Sequence, residues 1–436
     1  MLSNVKMPAF QAHTQWADAP PTRIVFLRHG ETDWNVKRVI QGWKGTGLNA
    51  LGLRQAALAA RRVRSMDLGI GAVHRMAMRL DDLIELKAGA LSADPENARL
   101  SGADLGLAAD RVYSSYLEMA AREAARPDGI EAVVIVTPNH LHHPVAKAFL
   151  EAGIDVICDK PLSATLAEAD ELVALTRARG LVFAVTLNNT GYPMVRQARE
   201  MIAAGELGDI RVVHAAYIQD WLTHAIDADG QKQAEWRTDP ARAGASACLA
   251  DIGVHAHNLA LFVTGLEVDA VSADLTTFVP GRRLDDNAHV LMRFVGGARG
   301  VLAASQVAVG NLNNLSLKTF GTRAGIEWSG ENPEFLRFTP YGEPSRTLQR
   351  GGPGNWDSAK AGSRMPAGHP EGYIEGFANL YRDAAELIAA RRAGRPPNPI
   401  AVALTPNVLD GARGVAFIEA SVASSQNDGA WTSARL

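Results

Sequence analysis

Residues 132–161 read AVVIVTPNHLHHPVAKAFLEAGIDVICDKP, and this stretch decides the fold. Its first five residues form an unbroken apolar, β-branched run, the composition of a strand covered on both faces. The run stops at the turn signal Thr137-Pro138-Asn139. A helical stretch over 144–152 follows, and Gly153 suits the left-handed position past its end. A second apolar run, 154–158, closes in Asp159-Lys160-Pro161. Beyond it the pattern predicts a helix over 165–179, stopped by Gly180, and a strand over 181–185. Short buried strands alternating with helices imply parallel βαβ units in a doubly wound sheet. Ligands of such sheets bind at the carboxyl ends of the strands, where both polar turns fall.

Towards the C-terminus the pattern changes. Strands are predicted over 210–217, 268–278, 288–294, 300–307 and 315–321, several with period-two alternation. Short turns such as Val295-Gly296-Gly297 point to an open-faced, mainly antiparallel sheet. Helices are predicted over 192–204, 251–264 and 374–392, making 186–436 a second domain of α+β type. The Gly/Pro-rich stretch 350–369 reads as a long loop, a class that is often functional or mobile. Towards the N-terminus, 65–185 forms the parallel-sheet domain. Residues 23–64 form a compact unit: a strand over 24–27, a Gly-rich loop and a helix over 51–64. Residues 1–22 read as a flexible leader without the apolar core of a secretory signal.

Composition narrows the function classes. With 47% hydrophobic and 21% charged residues, the chain is typical of globular proteins. A net charge of −3 offers no footprint for nucleic acid or an anionic membrane surface. No apolar run reaches the roughly 20 residues that span a bilayer. Cys158 and Cys248 cannot build a disulfide framework, so two buried thiols in a reducing cytoplasm are expected.

Three elements carry the chemistry: Thr137-Pro138-Asn139 with His142, then Asp159-Lys160-Pro161, then Asp251-Ile252-Gly253-Val254-His255. Asp251 and His255 are four apart and share a helix face. Oxidising an alcohol needs a base for the hydroxyl proton while hydride leaves. A histidine can take that proton near neutral pH, and a lysine ammonium can stabilise alkoxide charge. Taken singly, Asp251 reads as a helix cap, His255 as an ordinary core histidine and Lys160 as a solvated loop lysine. Their joint order is the signal. A metal site built from His140, His142 and His143, or from Asp251, His255 and His257, is set aside for want of a ligand pattern. Of the tryptophans at 221, 236, 328 and 356, which could stack on a sugar ring, Trp328 reads as core.

The run VTPNHLHHPVAKAFLEAGIDVICDKPLSATLAEADEL (136–172) resembles the TPN-x-x-H and E-K-P region of the Gfo/Idh/MocA oxidoreductases, with Asp159 in place of the usual Glu. REMIAAGELGDIRVV (199–213), LADIGVHAHNLALFVTG (249–265), GTRAGIEW (321–328) and HPEGYIEGFANLYRDAAELI (369–388) fit the same family. The resemblance covers about 71–436. It implies a Rossmann-like domain joined to an open-faced sheet domain for substrate and oligomerisation. It also implies NAD or NADP as cofactor and a sugar or polyol, inositol-like, as substrate. A homo-oligomer, dimer or tetramer, goes with it. Carried over residue by residue, it makes Lys160, Asp251 and His255 catalytic. Gly69, Gly71, Ser92, Thr137, Pro138, Asn139, His142, Asp159 and Lys160 become cofactor-binding, and Asn188, Tyr192, Trp236 and Arg237 substrate-side. Asn189 stands where the family often has an aromatic. A strand is predicted over 84–90, and Ser92, which follows it without an adjacent arginine, decides neither NAD nor NADP.

The first βα turn departs from that pattern, keeping only Gly69-Ile70-Gly71 of a glycine-rich loop. Just upstream, RIVFLRHGETDWNVKRVIQG and LNALGLRQA (within 23–56) resemble the opening of the histidine phosphatases and phosphoglycerate mutases. That resemblance makes His29 a phosphorylated nucleophile, with Arg28 and Asn35 lining its pocket. The family's later acid and second histidine have no counterpart here, so phosphatase activity is not expected. The run at 23–27 is expected to fill the central strand slot, since leaving it out would open a gap of about 4.8 Å in the sheet. The alternative to a dehydrogenase is a fusion that binds ligand without turnover because the dinucleotide turn is lost.

Overall fold

The computed structural model describes residues 70–227 and 232–436. The expectations for 1–22, for 23–64 with Arg28, His29 and Asn35, and for Gly69 lie outside them.

The two apolar runs of the deciding stretch form β1 (Ala132–Ile135) and β2 (Asp155–Cys158), joined in parallel register with Ile135 opposite Cys158. Helix His142–Glu151 is the crossover between them. β3 (Phe183–Val185) pairs with β2, again in parallel, giving the order β1-β2-β3. The helix Leu166–Arg179 that feeds β3 begins with a capping box, Thr165 and Glu168 bonding each other's backbone, and ends at Gly180 with φ 61°. Every residue of β2 is buried, as the apolar pattern required. Full burial of side chains such as Val156 and Ile157 contributes about 1.5–3 kcal/mol each.

The strand expected over 84–90 does not form. Among the described residues this segment makes a single parallel bridge, Gly89 to Val112, through Gly89 N to Arg111 O (3.1 Å) and Tyr113 N to Gly89 O (2.9 Å). An extended run becomes a strand only through partners, and one bridge does not make a ladder.

Among the described residues the second sheet has nine strands: β4 (Ile210–Ile218), β5 (Val268–Thr276), β6 (Asn287–Phe294), β7 (Arg299–Ser305), β8 (Asn314–Gly321), β9 (Ala324–Ser329), β10 (Phe335–Pro340), β11 (Arg346–Gln349) and β12 (Thr432–Ser433). Their order is β11-β10-β9-β8-β4-β7-β6-β5-β12. All pairs are antiparallel except β4 with β7, a parallel pair at the centre. Alternation decides the faces. Val213, Ala215 and Tyr217 of β4 and Val290, Met292 and Phe294 of β6 point into the core, under helices Pro193–Ala203 and Val254–Thr264.

Two close approaches fix the helices that carry the site. A Cβ at Gly253 would lie 2.5 Å from Leu249 Cδ1 and 3.4 Å from the Ala304 Cβ, so glycine lets the turn before Val254–Thr264 rest on β7. A Cβ at Gly191 would lie 1.8 Å from the Gly376 carbonyl oxygen, which is how closely helix Tyr373–Arg392 seats on the turn Asn188–Gly191. Helix Val408–Gln426 packs on both β5 and Leu166–Arg179, bracing the two sheets together. The stretch 350–369, expected as a long loop, is pinned at its start. The buried Arg350 guanidinium pairs with Glu334 and Glu371 and donates to the Met365 carbonyl at 2.7 Å.

Candidate active site

β1 and β2 end side by side, so the turns that follow them share one end of the parallel sheet. His142 fastens these turns together. Its Nδ1 lies 2.7 Å from the Pro161 carbonyl and its Nε2 2.9 Å from the Thr137 carbonyl. The ring is 1% exposed, with each nitrogen against a backbone carbonyl. It holds the walls. Asn139 does likewise, donating to the Ala243 carbonyl at 2.9 Å. The Thr137 hydroxyl is sealed from solvent and has no partner among the described residues. The Lys160–Pro161 peptide is cis.

Asp159 is buried and held by hydrogen bonds from Thr186 Oγ1 (2.6 Å) and the Lys160 amide (3.0 Å). Its Oδ2 lies 4.0 Å from His74 Nε2, and His74 Nδ1 meets the Tyr381 hydroxyl at 2.6 Å. Burial works to raise the Asp159 carboxyl. The charges of His74 and Lys160 outweigh it and hold the group below its ordinary value.

From Asp159 the chain turns Lys160 towards the other sheet, where its ammonium finds Asp251. The Lys160 Nζ donates to Asp251 Oδ1 at 2.8 Å and also to the Asp251 carbonyl oxygen. Asp251 sits in a π-helical turn, Leu249–Gly253, that opens helix Val254–Thr264. Such turns loosen the regular helical ladder and recur at functional sites. Arg237 Nε stands 3.2 Å from the same Oδ1, and Gln306 Nε2 donates to Oδ2 at 2.8 Å. Burial pushes the Asp251 carboxyl up, but Lys160 and Arg237 together hold it far below the usual carboxylate range. It is ionised, with every contact on it a donor.

One turn further on, His255 is 8% exposed. Asn189, at the end of the β3 segment, places its amide Nδ2 3.1 Å from His255 Nδ1, and the Tyr217 ring stands edge-on with centroids 6.0 Å apart. Tyr217 in turn donates to Asn313 Oδ1 at 2.7 Å. Burial first, then the Lys160 charge, pulls the His255 imidazole down to about 3, against the opposing pull of Asp251 and Asp159. The ring is therefore neutral across the physiological range. Tyr373, 41% exposed with its ring edge-on to Phe377, has its hydroxyl raised by desolvation and by the Asp159 and Asp251 charges.

The structure thus brings Lys160, Asp251, His255 and Arg237 into one cluster, with Asp159 beside it. Trp236 stacks on the Arg237 guanidinium at 4.3 Å. Asn188 is 3% exposed, and its Nδ2 has no partner among the described residues. Tyr192, expected on the substrate side, is a core aromatic: it is 5% exposed and packs on Trp328 at 5.3 Å. Ser92, expected near the ribose, accepts from the Asp94 amide at 3.1 Å in the turn that starts helix Pro95–Leu105. Gly71 lies in the first turn of helix Ile70–Arg79. Pro138 is partly buried in the turn after β1. Sequence reasoning named Asn189 only as a departure from the family pattern, and it missed Gln306, Tyr217, Thr186 and Tyr373, which are polar or aromatic residues with no local motif. Among the described residues no group of three or more His, Cys, Asp or Glu could hold a metal ion, and His257 is instead stacked on Phe417. No helix of the described residues is long and apolar enough to cross a membrane. A cavity lined by Thr223, Phe278, Asn287, Ser305 and Val307 lies beside Gln306, but holds none of the catalytic candidates.

Comparison with known proteins agrees with this geometry. Residues 69–187 match the family described as "Oxidoreductase family, NAD-binding Rossmann fold", and residues 195–327 the "GFO/IDH/MocA C-terminal domain". Residues 24–73 match the "Histidine phosphatase superfamily (branch 1)". The chain is 38% identical over 371 residues to the uncharacterized oxidoreductase YfiI of Bacillus subtilis (strain 168), covering 83% of this chain and 93% of that one. Among solved structures, an oxidoreductase from Sinorhizobium meliloti is 50% identical with a TM-score of 0.76, over 83% of this chain and 96% of that one. An inositol dehydrogenase homolog from Azotobacter vinelandii, complexed with NAD+, is 36% identical with a TM-score of 0.79, over 84% and 94%.

Proposed function

The chain belongs to the Gfo/Idh/MocA family of NAD-binding oxidoreductases, and from that premise we propose that it oxidises a secondary hydroxyl of a polyol or sugar-like compound. The observation that carries this proposal is the clamp of Lys160 by Asp251, one residue from each sheet's segment, with the neutral imidazole of His255 one turn away. In this proposal His255 takes the hydroxyl proton. The Lys160 ammonium, fixed by Asp251, stabilises negative charge on the substrate oxygen. Asp251 orients Lys160 and Arg237 without accepting the proton itself, because its carboxylate is already satisfied by donors.

The residues present fit a nicotinamide cofactor at this end of the sheet. The buried, unpartnered Thr137 hydroxyl offers a polar wall where β1 ends, and Lys160 stands where β2 ends. Asp159 adjoins Lys160, its Oδ1 accepting from the Lys160 amide. A bound nicotinamide would supply the hydride acceptor. His142 and Asn139 keep the two turns in place.

A polyol is favoured because the cluster offers donors and an acceptor in a small volume, and because a relative is named as an inositol dehydrogenase homolog complexed with NADH and myo-inositol. A dimer or tetramer is part of the same proposal. The outward face of the nine-stranded sheet exposes Leu291 and Val301, apolar residues of the kind that a partner subunit covers.

The test has two steps. Quenching of protein fluorescence is titrated with NADH and with NADPH, and micromolar affinity for either is expected. No binding at millimolar cofactor would support the alternative, a ligand-binding protein that has lost its dinucleotide turn. NAD(P)+ reduction by myo-inositol and a panel of polyols is then compared for wild type and His255→Ala. Turnover should fall far more than cofactor affinity, and equal loss of both rejects the role of His255.

A further inference from the structure

We infer that Asn189 is the positioning residue that decides which nitrogen of His255 carries the proton, and so which nitrogen meets the substrate. Resting on the role of His255 proposed above, this goes a step further, to the tautomer. Asn189 and His255 are 66 positions apart and come from different segments, the turn after β3 and the helix after the π-turn. Both side chains are more than nine-tenths buried. The Asn189 amide stands 3.1 Å from Nδ1. No described residue hydrogen-bonds Nε2, which leaves it the nitrogen that can face a substrate.

The chemistry then fixes the amide. A half-turn of an asparagine amide exchanges its oxygen and nitrogen within the same volume. With Nδ2 against the ring, Nδ1 must accept, the proton sits on Nε2, and the nitrogen facing the substrate has no lone pair to offer. With Oδ1 against the ring, Nδ1–H donates to it and Nε2 carries the lone pair. In the oxidation the O–H bond of the alcohol breaks and its proton passes to Nε2. The hydride leaves the carbinol carbon for the oxidised nicotinamide, and the resulting imidazolium keeps its Nδ1–H bond to Oδ1. Only the second orientation survives that step, since an imidazolium has two N–H donors and cannot accept. The base-competent enzyme therefore holds Asn189 with Oδ1 inward.

A carboxylate touching Nδ1 would fix the same tautomer but add a third negative charge beside Asp251 and Asp159 and raise the ring's titration. Asn189 orients the ring without adding charge. Its position in the sequence, directly after Asn188 and outside the three central motifs, explains why no motif pointed to it.

The test uses the full-length protein labelled with 15N-histidine, the His255 signals being assigned by their loss in His255→Gln. The expected spectrum at pH 7.5 has Nδ1 protonated and Nε2 bare. Asn189→Leu should redistribute the proton between the two nitrogens, and Asn189→Asp should keep it on Nδ1 while raising the His255 titration by about 1–3 pH units. A proton on Nε2 in the wild type overturns the inference, as does an Asn189→Leu spectrum unchanged from wild type. Should Asn189→Leu fail to fold, Asn189→Asp decides alone: a titration midpoint that does not move is incompatible with contact at Nδ1. In turnover, Asn189→Leu should lose about tenfold or more in kcat with cofactor affinity kept. The tautomer is read without substrate, so a His255→Ala enzyme with full activity would remove the catalytic proposal and leave this measurement standing.

Discussion

Replacing His257 with leucine should make the protein markedly less sensitive to acid. His257 lies on the same helix as His255 but faces away from the cluster, stacked on Phe417 with centroids 4.2 Å apart and planes 14° from parallel. It is 2% exposed, its Nδ1 has no partner among the described residues, and burial pulls the imidazole down to about 3, with Arg413 adding to the effect. In the unfolded chain the same ring titrates near 6.5. The folded value is the lower one, so this histidine's contribution to stability is complete above pH 6.5 and is lost as pH falls from there towards 3. At pH 5 the unfolded ring is protonated and the folded ring is not, over a gap of about 1.5 pH units, or about 2 kcal/mol. That figure barely depends on the folded value, because a ring titrating at 3 or at 4 is neutral at pH 5 in either case. Urea unfolding of wild type and His257→Leu at pH 7.5 and pH 5.0 measures it. The loss of stability between the two pH values should be smaller in the variant by about 2 kcal/mol. Equal losses in the two proteins would mean that the ring is solvated, and the placement of this helix face would be wrong.

Asp251→Asn leaves Lys160 and Arg237 facing each other without their shared carboxylate, and breaking a buried pair in this way costs about 3–5 kcal/mol. The urea midpoint should drop accordingly, and adding Lys160→Met should recover part of the loss; a midpoint equal to wild type would show that the carboxylate is solvated. Gly191→Ala drives a methyl group to 1.8 Å from the Gly376 carbonyl oxygen. Because the obstacle is backbone on both sides, about 3 kcal/mol or more should be lost. A melting temperature within a degree of wild type would contradict the seating of helix Tyr373–Arg392.

The parallel sheet was legible because β1 and β2 are short, largely apolar and cut off by sharp polar turns, so strand type, burial and ligand-facing end all followed from one stretch. Lys160, Asp251 and His255 were legible only as a set, each having an ordinary reading of its own. What escaped was whatever depends on a partner far along the chain. The 84–90 run has strand composition, but pairing, not composition, makes a strand, and it finds only Val112. The parallel pairing of β4 with β7 is invisible to alternation, which reports faces and not neighbours. His142 was assigned to the cofactor by resemblance, and its placement against the Pro161 and Thr137 carbonyls is a contact that no local pattern reports. Tyr192 carries the same lesson, since an aromatic near a site is equally an aromatic that can pack, here on Trp328. Arg237 was named from the sequence without a contact to justify it, and the structure supplies one in Asp251.

The site's electrostatics follow from its charges taken together. Asp159 and Asp251 face Lys160 and Arg237, two negative charges against two positive, so the crevice is polarised locally without carrying a net charge. In such a setting the protonation state of a buried imidazole is decided by desolvation and by its nearest neighbour. Lys160 sides with desolvation against Asp251 and Asp159, and His255 stays neutral. A ring held so far below its ordinary value is a weak base, and alone it would take a hydroxyl proton poorly. In the proposed reaction the same lysine would compensate, since an ammonium beside the substrate oxygen stabilises an alkoxide and so makes the proton easier to remove. Lys160 would then act on both partners of the transfer, keeping the acceptor free while making the donor more acidic, with Asp251 holding the ammonium in place.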